Sequence, residues 1–340
     1  MSSNNNEQNL EEYGKKFQII CLIDKNETEA IKLINEFPEL VWYRDPETED
    51  SPLHWAAKLG SKKVVRTLLD NRHPWNVLNK AGNSAGEVCQ NEGHEDIYKE
   101  ILDEGVRAEL ILGILDEVQG EENAIPNDEY LKLPLKFSSD KILDYEDNGV
   151  MMGWEGPLME EHAKVIAPKK GLNVLNIGFG LGLIDSELQK LEPKNHTIVE
   201  AHPDVYKQMI SLGWDQKPGV RIIFGRWQDK KDEICNQLYD GIFFDTFGEY
   251  YKDLKQFHEI IPNVLAEDGV YSFFNGLGGD VKLFHDVYCQ IAQLHLLDMG
   301  IETEYVEIDM DPDSNKIWDG VKRRYWQLKK YYLPICKFQN

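Results

Sequence analysis

The chain has 340 residues, and 37 basic against 60 acidic side chains leave it a formal net charge of −23. At about 150 residues per domain this length suggests two domains, and the 41% hydrophobic content is enough to bury a sizeable core. Such a charge argues against nucleic acid or an anionic membrane as the main partner, because binders of phosphate concentrate Lys and Arg on one face to displace counterions. A basic protein is the partner to expect.

The acidity is uneven: residues 1–150 are net −15 and residues 151–340 net −8. The five cysteines, Cys21, Cys89, Cys235, Cys289 and Cys336, are scattered, form no Cys-x-x-Cys pair and are odd in number. That usage fits a reducing compartment. Met1 to Glu12 is polar and lacks the apolar stretch of a signal peptide. No run approaches the ~20 apolar residues of a membrane span. A soluble protein of the cytoplasm, with the nucleus as a second compartment, is expected.

In chain order, Ile19–Trp42 reads as an atypical helix pair. Then comes Ser51-Pro52-Leu53-His54-Trp55-Ala56-Ala57, with Gly60 behind it, and 33 residues later Ser84 and Gly93 fall at the places of Ser51 and Gly60. The apolar positions move in step: Val64 maps to Ile97, Leu68 to Ile101 and Leu69 to Leu102. This resembles the ankyrin repeat, with its Thr-Pro-Leu-His-x-Ala signature and period of about 33 residues. Val106–Val118 has the spacing of a helix that closes the stack, so residues 1–118 are expected to form a short all-α repeat domain of two to three units. His54 and His94 are expected to bond nearby backbone rather than a metal, and Trp42, Trp55 and Trp75 to serve packing. Residues 119–150 read as a linker that includes part of a site lid.

After residue 150 the period changes. Asn173–Ile177, Thr197–Val199, Val220–Phe224, Gly241–Phe244 and Val270–Phe274 are candidate strands separated by helical stretches, which builds a parallel sheet covered on both faces. Thr303–Ile308 and Tyr325–Leu328 follow without a helix between them and suit an antiparallel hairpin at one edge. The layout over residues 151–340 resembles the Rossmann-like, mostly parallel seven-stranded sheet of S-adenosylmethionine-dependent methyltransferases, an α/β class.

The first strand runs into Gly178-Phe179-Gly180-Leu181-Gly182, and Leu183–Lys190 reads as a helix. Glycines here let the backbone approach a ligand at the carboxyl end of a strand. Glu200 ends the next strand 22 residues after Gly178, the distance at which a carboxylate reaches ribose hydroxyls. The loop lacks the third Gly of the dinucleotide fingerprint at position 183, which favours S-adenosylmethionine over a nicotinamide cofactor. Asn176 stands where many methyltransferases carry an acid. In Gly225-Arg226-Trp227-Gln228-Asp229, Trp227 suits either an adenine pocket or the core.

Gly149-Val150-Met151-Met152-Gly153-Trp154-Glu155-Gly156-Pro157-Leu158-Met159, Glu200-Ala201-His202 and Tyr239-Asp240-Gly241-Ile242-Phe243-Phe244-Asp245-Thr246 are the most specific words in the chain. Over about residues 130–340 they resemble guanidinoacetate methyltransferase and, more closely, the fungal-type protein arginine N5-methyltransferases, also called type IV. The repeat-like front is similar to the protein-modifying branch as well.

The resemblance implies that Glu155 and Asp245 grip a guanidinium and carry the chemistry. It implies a cofactor site at Met151, Met159, Gly178, Phe179, Gly180, Leu181, Gly182, Leu183, Ile184, Glu200, Ala201, His202, Trp227, Gln228 and Asp245, with S-adenosyl-L-homocysteine as product and no metal. Gly276 and Leu277, in Asn275-Gly276-Leu277-Gly278-Gly279, fall where the relatives present substrate-facing backbone. The double-Glu loop and Thr-His-Trp word of the larger arginine methyltransferase family do not occur. The expected reaction is methylation of the delta nitrogen of arginine in a basic protein, ribosomal or RNA-binding in type. A guanidinoacetate-type small-molecule activity and a non-catalytic scaffold are the alternatives.

Overall fold

The computed structural model describes residues 2–119, 129–248, 250–312 and 317–339. The first part of the expected linker, residues 120–128, lies outside the described residues. The chain divides into two compact units, one of Met1–Glu121 with Val281–Ile291, the other of Glu122–Asp280 with Ala292–Asn340.

The first unit is helical, and the 33-residue spacing marks its caps. Helix Pro52–Leu59 starts on a capping box between Ser51 and His54 and ends at Gly60 in the left-handed conformation; helix Ala85–Glu92 starts on a capping box between Ser84 and Glu87 and ends at left-handed Gly93. The helices that follow, Lys62–Asp70 and Glu95–Gln119, bury Val64, Leu68, Ile97 and Ile101. His54 is fully buried, with Nδ1 2.8 Å from Ser51 Oγ and Nε2 3.0 Å from Asn83 O, a capping and bracing role.

Three expectations change in this unit. The N-terminal pair is made of Ser2–Ile19 and Glu27–Glu36, joined through a π turn at Ile20–Asp24, so its first helix precedes the expected start. No separate closing helix exists at Val106–Val118, which continues Glu95–Gln119. Gly105, inside this helix, lets the buried Trp75 ring pack against the helix backbone, since a Cβ there would sit 2.9 Å from that ring. Trp55 and Trp75 are buried, but Trp42 is 62% exposed on a 3-10 turn and packs no core.

The second unit contains two sheets. Strands β1 (Lys136–Phe137), β2 (Lys141–Leu143) and β3 (Gly149–Met152) form a small antiparallel sheet. The main sheet comprises β4 (Asn173–Ile177), β5 (Asn195–Glu200), β6 (Val220–Phe224), β7 (Tyr239–Phe244), β8 (Leu265–Phe273), β9 (Ile301–Asp309) and β10 (Lys330–Phe338), in spatial order β6-β5-β4-β7-β8-β10-β9. The first five are parallel, and β10 is antiparallel to both neighbours. This is the expected methyltransferase layout.

Side-chain alternation explains why the strands read as apolar runs. Leu175, Ile177, Ile242 and Phe244 join one core, while Val174 and Phe243, one residue out of phase, join another with Met159 and Ile184.

The last strand lies later than expected. Tyr325–Leu328 is a loop: Trp326 is buried beside Leu158 and Tyr331, its Nε1 donates to Leu328 O at 2.7 Å, and Gln327 N donates to Gly279 O at 2.7 Å. Its aromatics fill core without pairing in the sheet.

Candidate active site

The carboxyl ends of β4, β5 and β7 converge on one cleft. Gly178, at φ 93°, leads the chain out of β4 so close to β7 that a Cβ would lie 1.8 Å from Asp245 O. Asp245 N donates to Ile177 O and Gly178 N to Val199 O, both at 2.9 Å, so backbone bonds lock the three strand ends together. At Gly180, φ 53°, a Cβ would meet Met151 Sδ at 2.5 Å, and that sulfur accepts from Leu181 N at 3.0 Å.

Glu200, at the end of β5, is buried. Its Oε2 accepts from Phe179 N at 2.9 Å and its Oε1 from His202 N at 2.6 Å. Burial pushes this carboxyl up, and the backbone donors around it pull the other way. Behind the loop, Asn176 Nδ2 donates to Gly178 O at 2.8 Å and to the buried Asp185, whose carboxylate also lies 3.0 Å from His196 Nε2. The acid that Asn176 lacks is thus supplied from the following helix.

The cleft lies at the carboxyl ends of the parallel strands, where open α/β sheets bind their ligands. Of the sequence-predicted cofactor residues, Met151, Gly178, Gly180, Glu200, Ala201, Trp227, Gln228 and Asp245 line it. Met159, Phe179, Leu181, Gly182, Leu183, Ile184 and His202 do not. Met159 and Ile184 are in the core beneath the sheet ends, Leu183 packs on that core, and Leu181 packs on the cluster around Phe179. Phe179 packs edge-on to Trp214 at 5.2 Å and would clash with any Cβ at Gly182. His202 caps helix Pro203–Ser211 through Nδ1 and points Nε2 at Leu133 O, 3.1 Å, and Tyr130 O, 3.2 Å. A turn from strand to helix sends its side chains alternately to cleft and core, so a contiguous motif overcounts the lining.

Sequence reasoning also missed part of this wall. Tyr130 lines the cleft from the linker, with its ring 4.8 Å from Phe247 and 4.9 Å from His202. Trp227 is both cleft wall and core, 5.2 Å edge-on to Phe257.

A second cleft adjoins the first, and Val150, Asp245, Thr246 and Phe247 line both. It gathers all four predicted substrate residues, Glu155, Asp245, Gly276 and Leu277, together with Tyr325 and Phe274. Glu155 sits on a 3-10 turn, Gly153–Glu155, that opens onto helix Gly156–Ile166, and it is only 3% exposed. Its Oε1 accepts from Met152 N at 3.1 Å and from the hydroxyl of Tyr325. Burial, then the nearby Asp245 carboxyl, pushes Glu155 well above the ordinary carboxylate range, and burial does the same to Asp245. Two desolvated carboxyls facing one cleft are a site for a cation with several N–H donors.

The residues fit the cofactor that this fold uses. Glycine edges at 178, 180 and 225 admit a ligand to the backbone, Glu200 offers a carboxylate to ribose hydroxyls, and Trp227 with Val199 and Val205 gives an apolar bed for a base. Sheet order and site together define an S-adenosylmethionine-dependent methyltransferase.

A family model described as guanidinoacetate N-methyltransferase matches residues 134–330, and an ankyrin repeat model matches residues 48–80. The protein arginine N-methyltransferase 2 of Aspergillus oryzae is 38% identical over 323 residues, covering 82% of this chain and 78% of that protein. Its namesake in Cryptococcus neoformans var. neoformans is 38% identical over 329 residues, covering 87% of this chain and 88% of that one. The namesake in Neurospora crassa is 31% identical over 399 residues, covering 92% and 93%. The chain belongs to the family of these protein arginine N-methyltransferase 2 proteins, within the span matched by the guanidinoacetate N-methyltransferase model.

Proposed function

We propose that this protein methylates the delta nitrogen of arginine side chains in basic proteins, with S-adenosylmethionine as donor, in the cytoplasm and nucleus. The observation that carries the reading is the pair Glu155 and Asp245 in one cleft that opens into the cofactor cleft at Asp245. The names of the relatives support arginine as the acceptor.

When bound, the cofactor supplies an electrophilic methyl group on a sulfonium. The chain's part is to hold the acceptor and move its proton. A guanidinium is planar and permanently charged, with N–H groups in a fork that carboxylates match in pairs. Glu155 Oε1 is already engaged by Met152 N and Tyr325, while Oε2 has no partner among the described residues and is free to take a guanidinium N–H. Asp245 takes another. Charge held on the outer nitrogens leaves the inner one to present its lone pair toward the shared wall. As the new N–C bond forms, that nitrogen sheds a proton, which a carboxylate accepts and returns to solvent.

The loop Asn275–Gly279 supports a long acceptor, since glycines at 276, 278 and 279 leave the cleft wall without side chains there. Purified protein incubated with labelled donor and cell extract should label a protein band, and acid hydrolysis should release δ-N-methylarginine. Transfer to guanidinoacetate in place of protein, the reaction named by the matching family model, overturns the reading.

A further inference from the structure

Behind the acceptor cleft runs a buried chain of hydrogen bonds whose direction is fixed at one end. Ser272, on β8, donates its hydroxyl hydrogen to Pro334 O on β10. Its oxygen can then only accept, so His162 Nδ1, 2.8 Å away, carries a hydrogen. A neutral imidazole with Nδ1 protonated leaves Nε2 bare, and Nε2 accepts from Tyr331 OH at 2.9 Å. Tyr331, having used its only hydrogen, accepts from Asn275 N at 2.9 Å. His162, Ser272 and Tyr331 are completely buried, and burial holds the imidazole far below its usual range, so the neutral form persists.

The His162–Tyr331 link of this chain joins the elements that supply two walls of the cleft. His162 lies on helix Gly156–Ile166, which starts directly behind Glu155. Asn275 opens the glycine loop, and Phe274, another lining residue, stacks on the Tyr331 ring at 5.8 Å and 27°. We propose that the His162–Tyr331 hydrogen bond positions the acceptor site, holding the helix that presents Glu155 in register with the Asn275–Gly279 loop. This rests on the reading of the second cleft as the guanidino site. Both residues act through others: neither lines a cleft, and neither touches the reacting atoms.

The test uses the full-length protein and whichever acceptor the wild type methylates, an arginine-containing peptide or guanidinoacetate. A wrong acceptor assignment then shows in the wild-type reaction, and a wrong positioning role only in the variants. Tyr331→Phe keeps the ring and its stack on Phe274 and removes one hydroxyl. It should lower kcat/KM for the acceptor at least tenfold while calorimetric affinity for S-adenosylmethionine stays within twofold of wild type. His162→Gln, which can still donate at one atom and accept at another, should retain most of the activity that His162→Leu loses. Leu296→Ala, a buried core truncation outside both clefts, controls for loss of stability. The proposal fails if Tyr331→Phe costs no more kcat/KM than Leu296→Ala, if cofactor affinity falls by the same factor as kcat/KM, or if His162→Gln is as impaired as His162→Leu.

Discussion

The carbonyl oxygen of Asp245 occupies the space in which Gly178 would carry a Cβ, 1.8 Å from the ideal position of that atom. The first glycine of the loop is therefore needed for the approach of two strand ends as well as for a ligand. Gly178→Ala would force β4 and β7 apart at φ 93°, where L side chains are strained, and displace an acid that faces both clefts. With strain of about 1–3 kcal/mol, S-adenosylmethionine affinity should drop roughly tenfold to a hundredfold. Titration calorimetry reads this directly, and an affinity within threefold of wild type would contradict it.

What the sequence disclosed follows from which constraints are local. Caps at Ser51, Gly60, Ser84 and Gly93 are set by neighbours three or four residues away, so the repeat was visible as a period. The central parallel strands β4 and β7 are buried on both faces and read as apolar runs, whereas the edge strand β6 is partly exposed. β10 carries Pro334, which pairs with Tyr305, and a proline normally argues against a strand interior, so this strand has a weak pattern in the sequence. Glu155 and Asp245 stand in specific words and were legible. Tyr325 reaches the site from a loop 170 residues after Glu155, and Tyr130 from a 3-10 turn in the linker, and no spacing rule connects either to it.

Replacing one carboxylate by its amide tests the guanidinium grip. Glu155→Gln keeps shape and an acceptor oxygen but removes a charge, and it lies only on the second cleft. Turnover should fall by about 10²–10⁴, the range for losing a proton acceptor or a preorganised charge. Cofactor affinity should stay within a few fold. Asp245→Asn, on the wall common to both clefts, should impair turnover and cofactor affinity together. Equal effects of the two variants on cofactor binding would refute the division of the site into two clefts.

The same pair predicts a pH dependence of stability. Both carboxyls are raised in the folded state by burial, and Glu155 further by Asp245, so the folded protein holds protons that the unfolded chain has released. Their contribution is fully present below the unfolded carboxylate range of about 4 and is lost as pH rises into the neutral range. Glu155→Gln removes this loss. Its Tm relative to wild type should therefore be higher at pH 8 than at pH 5, by thermal scans in matched buffers, and the same relative Tm at both pH values would show that the pair is already ionised in the folded protein at pH 5.

Tyr325 ties the pH dependence of catalysis to a single hydroxyl. A guanidinium requires ionised partners, so kcat/KM for the acceptor should climb with pH as Glu155 and Asp245 lose their protons, then level off. The Tyr325 hydroxyl donates to Glu155 Oε1 and favours the ionised form, opposing the burial that raises it. Tyr325→Phe keeps the ring against Trp154 and Trp318, 5.8 and 5.0 Å away, and deletes that donor. Losing one hydrogen bond to a charged group costs about 1.5–3 kcal/mol, and about 1.4 kcal/mol is one pH unit. The rising limb of the profile should move to higher pH by about one unit or more, with the high-pH plateau reduced much less. A uniform loss of rate at every pH, with the limb unmoved, would mean that Tyr325 acts on the shape of the cleft and leaves the Glu155 proton unaffected.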